Sequence, residues 1–175
     1  LPSTVCPQLF AFNCLPSTTV CPQLTLEGVQ EFATAFTERM KPVNFYAGEV
    51  IMESGTYAHE MYIIALGLAV VLKRDGEVLH ELKTGEHFGE IGLLSKSRPF
   101  RTATVKAQTY VEAYSLDKNS LHEILRMYPD AVHWMERRAK KRVYENDPKM
   151  KAQMFATPFS ATNAVFEGAA RVGRT

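Results

Sequence analysis

Within "GEHFGEIGLLSKSRPFRTATV", residues 85–105, four residues have the types and spacing for chemistry: Gly89, Glu90, Gly92 and Arg101. The stretch "FGEIGLL" is too rich in glycine for a good strand and too short for a long helix, so it reads as one helical turn starting near Gly89. The first N–H groups of such a turn lack partners, and glycines there let an anion approach the backbone closely. Arg101 can add a charge-assisted, forked contact to the same anion. Glu90 would repel a bare phosphate, but a carboxylate suits a ligand that also presents a hydroxyl donor. Phosphate and ribose in one small molecule mean a nucleotide, and a single arginine suits a singly charged phosphate better than a triphosphate. Either piece alone is a weak signal, because an arginine between strands is usually a solvated edge charge. The case strengthens because glutamate and arginine flank one loop.

The elements that must position these residues are legible on either side. From Leu26, apolar residues recur at three- and four-residue steps (Leu26, Val29, Phe32, Ala33, Phe36, Met40), which predicts a helix with Thr25 as cap and Pro42 as stop. Short strands follow at "VNFY", "EVIME", "MYIIAL", "LAVVLK", "VLHEL", "TATVKA" and "YVEAYSL", separated by glycine-bearing turns. The Asp75-Gly76 pair between two apolar runs is a hairpin cue. The chain then returns to helix. Asp117 can cap a segment carrying Leu121, Ile124 and Leu125 that ends near Tyr128, and Pro129 suits the first turn of another helix. That last helix has Val132, Met135, Ala139 and Val143 on one narrow stripe, with Arg137, Arg138, Lys140 and Lys141 largely off it.

This order predicts a mainly β fold with flanking helices (α+β). Its centre is an antiparallel β-roll, or jelly roll, of the double-stranded β-helix kind, with an N-terminal helix, a short cassette helix and two C-terminal helices. Three regions are expected. Residues 1–24 form a poorly ordered lead-in, 25–145 the folded domain, and 146–175 a loose tail without periodicity. The lead-in holds a short repeat, "LPSTVCPQL" and then "LPSTTVCPQL", with two Cys-Pro pairs (Cys6-Pro7, Cys21-Pro22). No histidine lies near them, so a metal or haem role is disfavoured.

Composition excludes several function classes. The 175 residues carry a net charge of +1, with 46% hydrophobic and 22% charged residues, so no global field draws the chain to nucleic acid or anionic lipid. No apolar run approaches the roughly 20 residues that span a bilayer, and the N-terminus does not read as a signal peptide. Three cysteines, all in the first segment, form no disulfide framework and favour a reducing compartment. An enzyme is disfavoured: the five histidines pair with no evident nucleophile, and neither HExxH nor GxSxG occurs. A cupin-type metal enzyme would need clustered His and Glu on the strands. His87 reads as a surface neighbour of the glycine-rich segment. The "RRAKKR" run at 137–142 reads as a solvated basic face rather than a nucleic-acid contact.

"FGEIGLL…RTATV" resembles the phosphate-binding cassette of cyclic nucleotide-binding domains. The likeness extends over about residues 26–145, through "GEVIMESGTYAHEMYIIALGLAVVL", "GEHFGEIGLL" and "YSLDKNSLHEILRMYPDAVHWMERRAKKRV". "YPDA" is most similar to cyclic nucleotide-gated and hyperpolarisation-activated channels. The resemblance implies a regulatory module rather than an enzyme, with cAMP or cGMP as ligand and no cofactor or metal. It implies that cassette amides and an arginine hold the cyclic phosphate while the glutamate takes the ribose 2′-hydroxyl. Those roles fall on Gly89, Glu90, Gly92, Arg101 and Thr102, with Phe88, Ile91, Leu93 and Ala103 beside them. Arg98 in the loop "SKSRPF" competes for the arginine role, and the direct run of "RTATV" into a strand favours Arg101. Val71, Leu82 and His80 fall on the base side, where His80 replaces a residue that is often apolar.

Threonine at 102 is often associated with cGMP in the family, its hydroxyl reaching the exocyclic amine of a syn guanine. In channel relatives the last helix closes over the base, which brings Arg142 near it with Ala139 and Val143 alongside. The implied setting is the cytoplasm, at the cytosolic face of a membrane channel, without insertion of this segment. The implied partner is the rest of a larger parent, a channel pore or alternatively a cyclic nucleotide-dependent protein kinase. Nucleic acid is not expected as a partner, and there is room for a homo-oligomer in the parent.

Overall fold

The computed structural model describes residues 26–73, 76–95 and 99–146. The repeat and its cysteines, Thr25, Asp75, Arg98 and the tail lie outside them, as do the side chains of Leu26, Val29, Lys140 and Val143. Within these residues, eight strands form two four-stranded antiparallel sheets: β1 (Lys41–Phe45), β2 (Val50–Met52), β3 (Glu60–Leu66), β4 (Ala69–Leu72), β5 (Val78–Leu82), β6 (His87–Phe88), β7 (Thr104–Ala107) and β8 (Val111–Asp117). One sheet runs β1-β8-β3-β6 and the other β2-β7-β4-β5. Among the described residues four helices accompany them: α1 (Leu26–Glu38), α2 (Glu90–Leu94), α3 (Lys118–Met127) and α4 (Pro129–Asn146). This is the expected β-roll with flanking helices.

Strand β3 shows why the sequence folds this way. Its run "MYIIAL" is apolar on both faces because both faces are covered. Tyr62 and Ile64 point between the sheets, where they meet Val71, Leu82, Val105 and Val111. Met61 and Ile63 point the other way, against Phe32, Phe36, Leu121, Ile124 and Val132 from the helices. The period of two thus divides one strand between two cores. Strand β8 does the same, with Val111 and Ala113 inside the roll and Leu116 under the helices.

Local signals account for the boundaries. Helix α1 ends at Glu38, and Pro42 lies on β1, an edge strand where a missing N–H is tolerated. The hairpin joining β4 to β5 closes through Lys73 N–H to Glu77 C=O at 2.9 Å, with Gly76 at φ +87°. Asp117 caps α3 by accepting from the N–H groups of Asn119 and Ser120, each at 3.0 Å. Pro129 begins α4.

Helix α4 packs more deeply than its narrow stripe suggests. Ala131, Val132, Met135 and Ala139 are all buried, and α4 lies against α2. Small residues at 131 and 139 bring the helix close, so a thin stripe is sufficient. Phe36 is enclosed between α1 and the sheet and lies 5.6 Å from the Phe32 ring. Phe36→Ala is expected to destabilise the fold by about 3–5 kcal/mol, read as a lowered denaturant midpoint with an unchanged slope.

Candidate functional site

The site is built around the turn from β6 into α2. Gly89 sits there at φ +89°, and a Cβ on it would come within 2.6 Å of Arg101 Nη1. The positive φ favours glycine, and a Cβ there would also displace the guanidinium. Gly92 has a different reason. A Cβ there would meet the Ala58 Cβ at 2.5 Å and the Phe100 carbonyl oxygen at 3.0 Å. Gly92 lets α2 pack closely against Ala58 and Phe100, and it also borders the cavity beside Gly89.

Glu90, the first residue of α2, is only 1% exposed. Its Oε1 accepts from Arg142 Nη1 of α4 at 2.9 Å, and His87 Nε2 lies 3.9 Å away. Its Oε2 is buried and has no hydrogen-bond partner. Burial pushes the Glu90 carboxyl up, but Arg142, His87 and the residue's own backbone N–H outweigh it and hold it below the usual carboxylate range. Arg142 Nη1 also donates to the His87 carbonyl at 2.6 Å. His87 is 4% exposed, so it is not the surface neighbour that the sequence suggested. It pairs with Ile63 across β3 and β6 and shares the face that the helices cover. Burial, opposed by Glu90 and reinforced by Arg142 and Arg138, lowers its pKa to about 4.

Arg101 approaches from the other side. Its N–H donates to Thr56 C=O at 2.8 Å and its carbonyl accepts from Gly55 N–H at 2.9 Å, so the loop before β3 pins its backbone. The guanidinium is buried and donates to Gly89 C=O at 3.1 Å. Among the described residues no carboxylate forms an ion pair with it. Burial lowers its pKa, while Tyr62, Glu60 and Glu90 oppose that shift.

These groups border one cavity between the sheets. It encloses about 30 Å³ and opens to solvent. Phe88, Gly89, Glu90, Ile91 and Gly92 line it from the β6–α2 turn, and Arg101, Thr102 and Ala103 from the chain entering β7. Val71 and Leu82 form its apolar wall, with His80 at the exposed rim and Arg142 reaching in from α4. Arg142 is placed on Glu90. Leu93 is not in the lining. It is buried in the helix-side core, on the far face of α2.

Residues 42–128 match the family model described as the cyclic nucleotide-binding domain. These residues belong to that family. Potassium/sodium hyperpolarization-activated cyclic nucleotide-gated channel 2 of Mus musculus is 35% identical over 122 residues, 70% of this chain and 14% of the relative. Channel 1 of the same name from Homo sapiens is 35% identical over 70% of this chain and 13% of its own length. Cyclic nucleotide-gated channel beta-1 of Bos taurus is 35% identical over 136 residues, 75% of this chain and 10% of the relative. The chain thus spans a small fraction of the relatives it matches. Among the described residues of this cyclic nucleotide-binding domain, no helix is long and apolar enough to cross a membrane. No group of three or more His, Cys, Asp or Glu among them is placed to hold a metal ion.

Sequence reasoning missed two lining residues, Met52 of β2 and Val105 of β7. Val105 was within reach, since it follows Ala103 by two along the extended chain and so shares its face. Met52 had no such signal.

His87 makes the domain's stability depend on pH. In the fold it stays neutral down to about pH 4, whereas an unfolded histidine takes a proton near pH 6.5. Between those values the unfolded chain binds more protons, so stability is complete above pH 6.5 and falls as pH drops towards 4. The expected loss is about 3 kcal/mol. Denaturant titrations at pH 7.5 and pH 5 check this, and His87→Gln is expected to flatten the difference.

Proposed function

We propose that this domain is a ligand-sensing module that binds a cyclic nucleotide in the cavity and passes the binding on through α4. The observation that carries this reading is Glu90 Oε2, a carboxylate oxygen that is buried and without a hydrogen-bond partner in a cavity that also holds Arg101. An orphaned acceptor of this kind is costly unless a ligand donor completes it. A ribose 2′-hydroxyl is such a donor. Arg101, buried without a carboxylate, takes the cyclic phosphate, which would replace the solvent charge balance it lost on folding. Val71, Leu82 and Ala103 supply apolar surface for the base, while Thr102, whose hydroxyl makes no hydrogen bond among the described residues, and His80 at the rim supply polar groups.

The lid role of α4 follows from the same carboxylate. One oxygen of Glu90 holds Arg142 of α4, and the other is offered to the ligand. A ligand that fills the cavity is then in contact with the docked form of α4 and not with an undocked one. That difference in contacts is what a population shift requires. Since the relatives' names are those of channels, the proposed parent is a cyclic nucleotide-responsive ion channel, with this domain on its cytosolic side.

Calorimetric titration with cyclic AMP and cyclic GMP tests binding itself. Arg101→Ala is expected to weaken binding at least about 30-fold, because it leaves a buried phosphate charge unpaired. The 2′-deoxy cyclic nucleotide is expected to bind the wild-type domain more weakly than the parent nucleotide. Glu90→Gln should shrink that gap, and an equal loss for both ligands contradicts the assignment. Amide hydrogen exchange tests the lid: residues 132–143 are expected to gain protection when nucleotide binds, and unchanged exchange there removes α4 from the mechanism.

A further inference from the structure

Tyr62 does not line the cavity, yet it connects the groups that orient Arg101. One hydrogen bond, to Gly89 C=O, fixes a single corner of the guanidinium and leaves its plane free to turn. The second restraint is the Tyr62 ring, whose centroid lies 5.9 Å from Arg101 Cζ, within range of a cation–π contact in a buried setting. That ring is itself held on three sides. Phe88 stacks on it at 5.2 Å and 22°, Phe45 meets it edge-on at 5.8 Å, and its hydroxyl donates to Glu60 Oε1 at 2.7 Å. Burial first, and then the Glu60 hydrogen bond, push the phenol's pKa up, so it stays a donor at any physiological pH. Tyr62 and Phe88 are paired across β3 and β6, and Phe88 immediately precedes Gly89. The same strand pairing therefore places both contacts of the guanidinium, the Gly89 carbonyl and the ring.

We propose that Tyr62 is a positioning residue of the phosphate site: its ring, tied down by Glu60, Phe88 and Phe45, sets the plane in which Arg101 meets the cyclic phosphate. This rests on the cyclic nucleotide reading of the cavity. A planar, forked donor is sensitive to orientation in a way that a point charge is not. Misaiming it costs affinity, and it also blurs the distinction between the two exocyclic oxygens of the phosphate.

The test uses cyclic AMP and its two phosphorothioate diastereomers, in each of which one exocyclic oxygen is replaced by sulfur. Tyr62→Leu is expected to weaken cyclic AMP binding about 10-fold and to narrow the affinity ratio between the diastereomers. In an Arg101→Ala background the same change is expected to add nothing, which a merely structural role would not produce. A cooperative thermal transition confirms that the variant is folded. If Tyr62→Leu does not fold, Tyr62→Phe decides, because it cuts the tie to Glu60 and keeps the ring. About a 3-fold loss with a narrowed diastereomer ratio supports the proposal. Unchanged affinity and ratio in a folded Tyr62→Leu, or in Tyr62→Phe where it alone folds, overturn it while leaving the functional reading intact. A wild-type domain that binds none of the three ligands overturns both.

Discussion

The site depends on keeping two opposite charges buried in one cavity without letting them neutralise each other. Glu90 and Arg101 both lie in the interior, and a direct pair between them would leave neither available for a ligand. The fold separates them by giving each its own partner. Glu90 is held by Arg142 from α4, and Arg101 by the Gly89 carbonyl and the Tyr62 ring. Gly89 makes this possible, since its φ of +89° turns the chain between the two and leaves room for the guanidinium that any Cβ would fill. A buried charge removed from its partner is strongly destabilising, so these contacts are structural and functional at once.

That arrangement requires a sheet that is rigid on both faces. Strand β3 provides it, with Tyr62 facing the roll and Ile63 facing the helices. Because β6 pairs with β3, Phe88 follows Tyr62 into the roll and His87 follows Ile63 beneath α4. The two residues before Gly89 are thus sent to opposite sides, one to support the Arg101 side of the cavity and one to meet Arg142. A neutral His87 costs nothing near neutral pH. As a cation it would compete with Arg142 for Glu90, and burial prevents that.

Much of this was legible beforehand, for identifiable reasons. The strand "VLHEL" coincides with β5, and Asp117 caps α3, because alternation and capping are local properties that few residues suffice to specify. Glu90 and Arg101 were legible because a carboxylate and a guanidinium around a glycine-rich turn are rare in an apolar setting. Strand β6 was not legible: two residues cannot show a period. The burial of His87 follows from that strand and was hidden with it. The close packing of Gly92 on Ala58 was hidden as well, because nothing local shows which residue a glycine will meet across the fold.

The sequence by itself determined the roll, its flanking helices and the glycine-rich turn that carries Glu90, since periodicity, caps and turn residues act over a few neighbouring positions. Only the tertiary structure decided who stands next to whom. Arg142 is 52 residues from Glu90 and Tyr62 is 39 from Arg101, and those contacts come from how α4 docks and how β3 pairs with β6. It also decided which carboxylate oxygen was left unpaired. That choice is a balance between burial and long-range charge, and no local pattern of side chains encodes it.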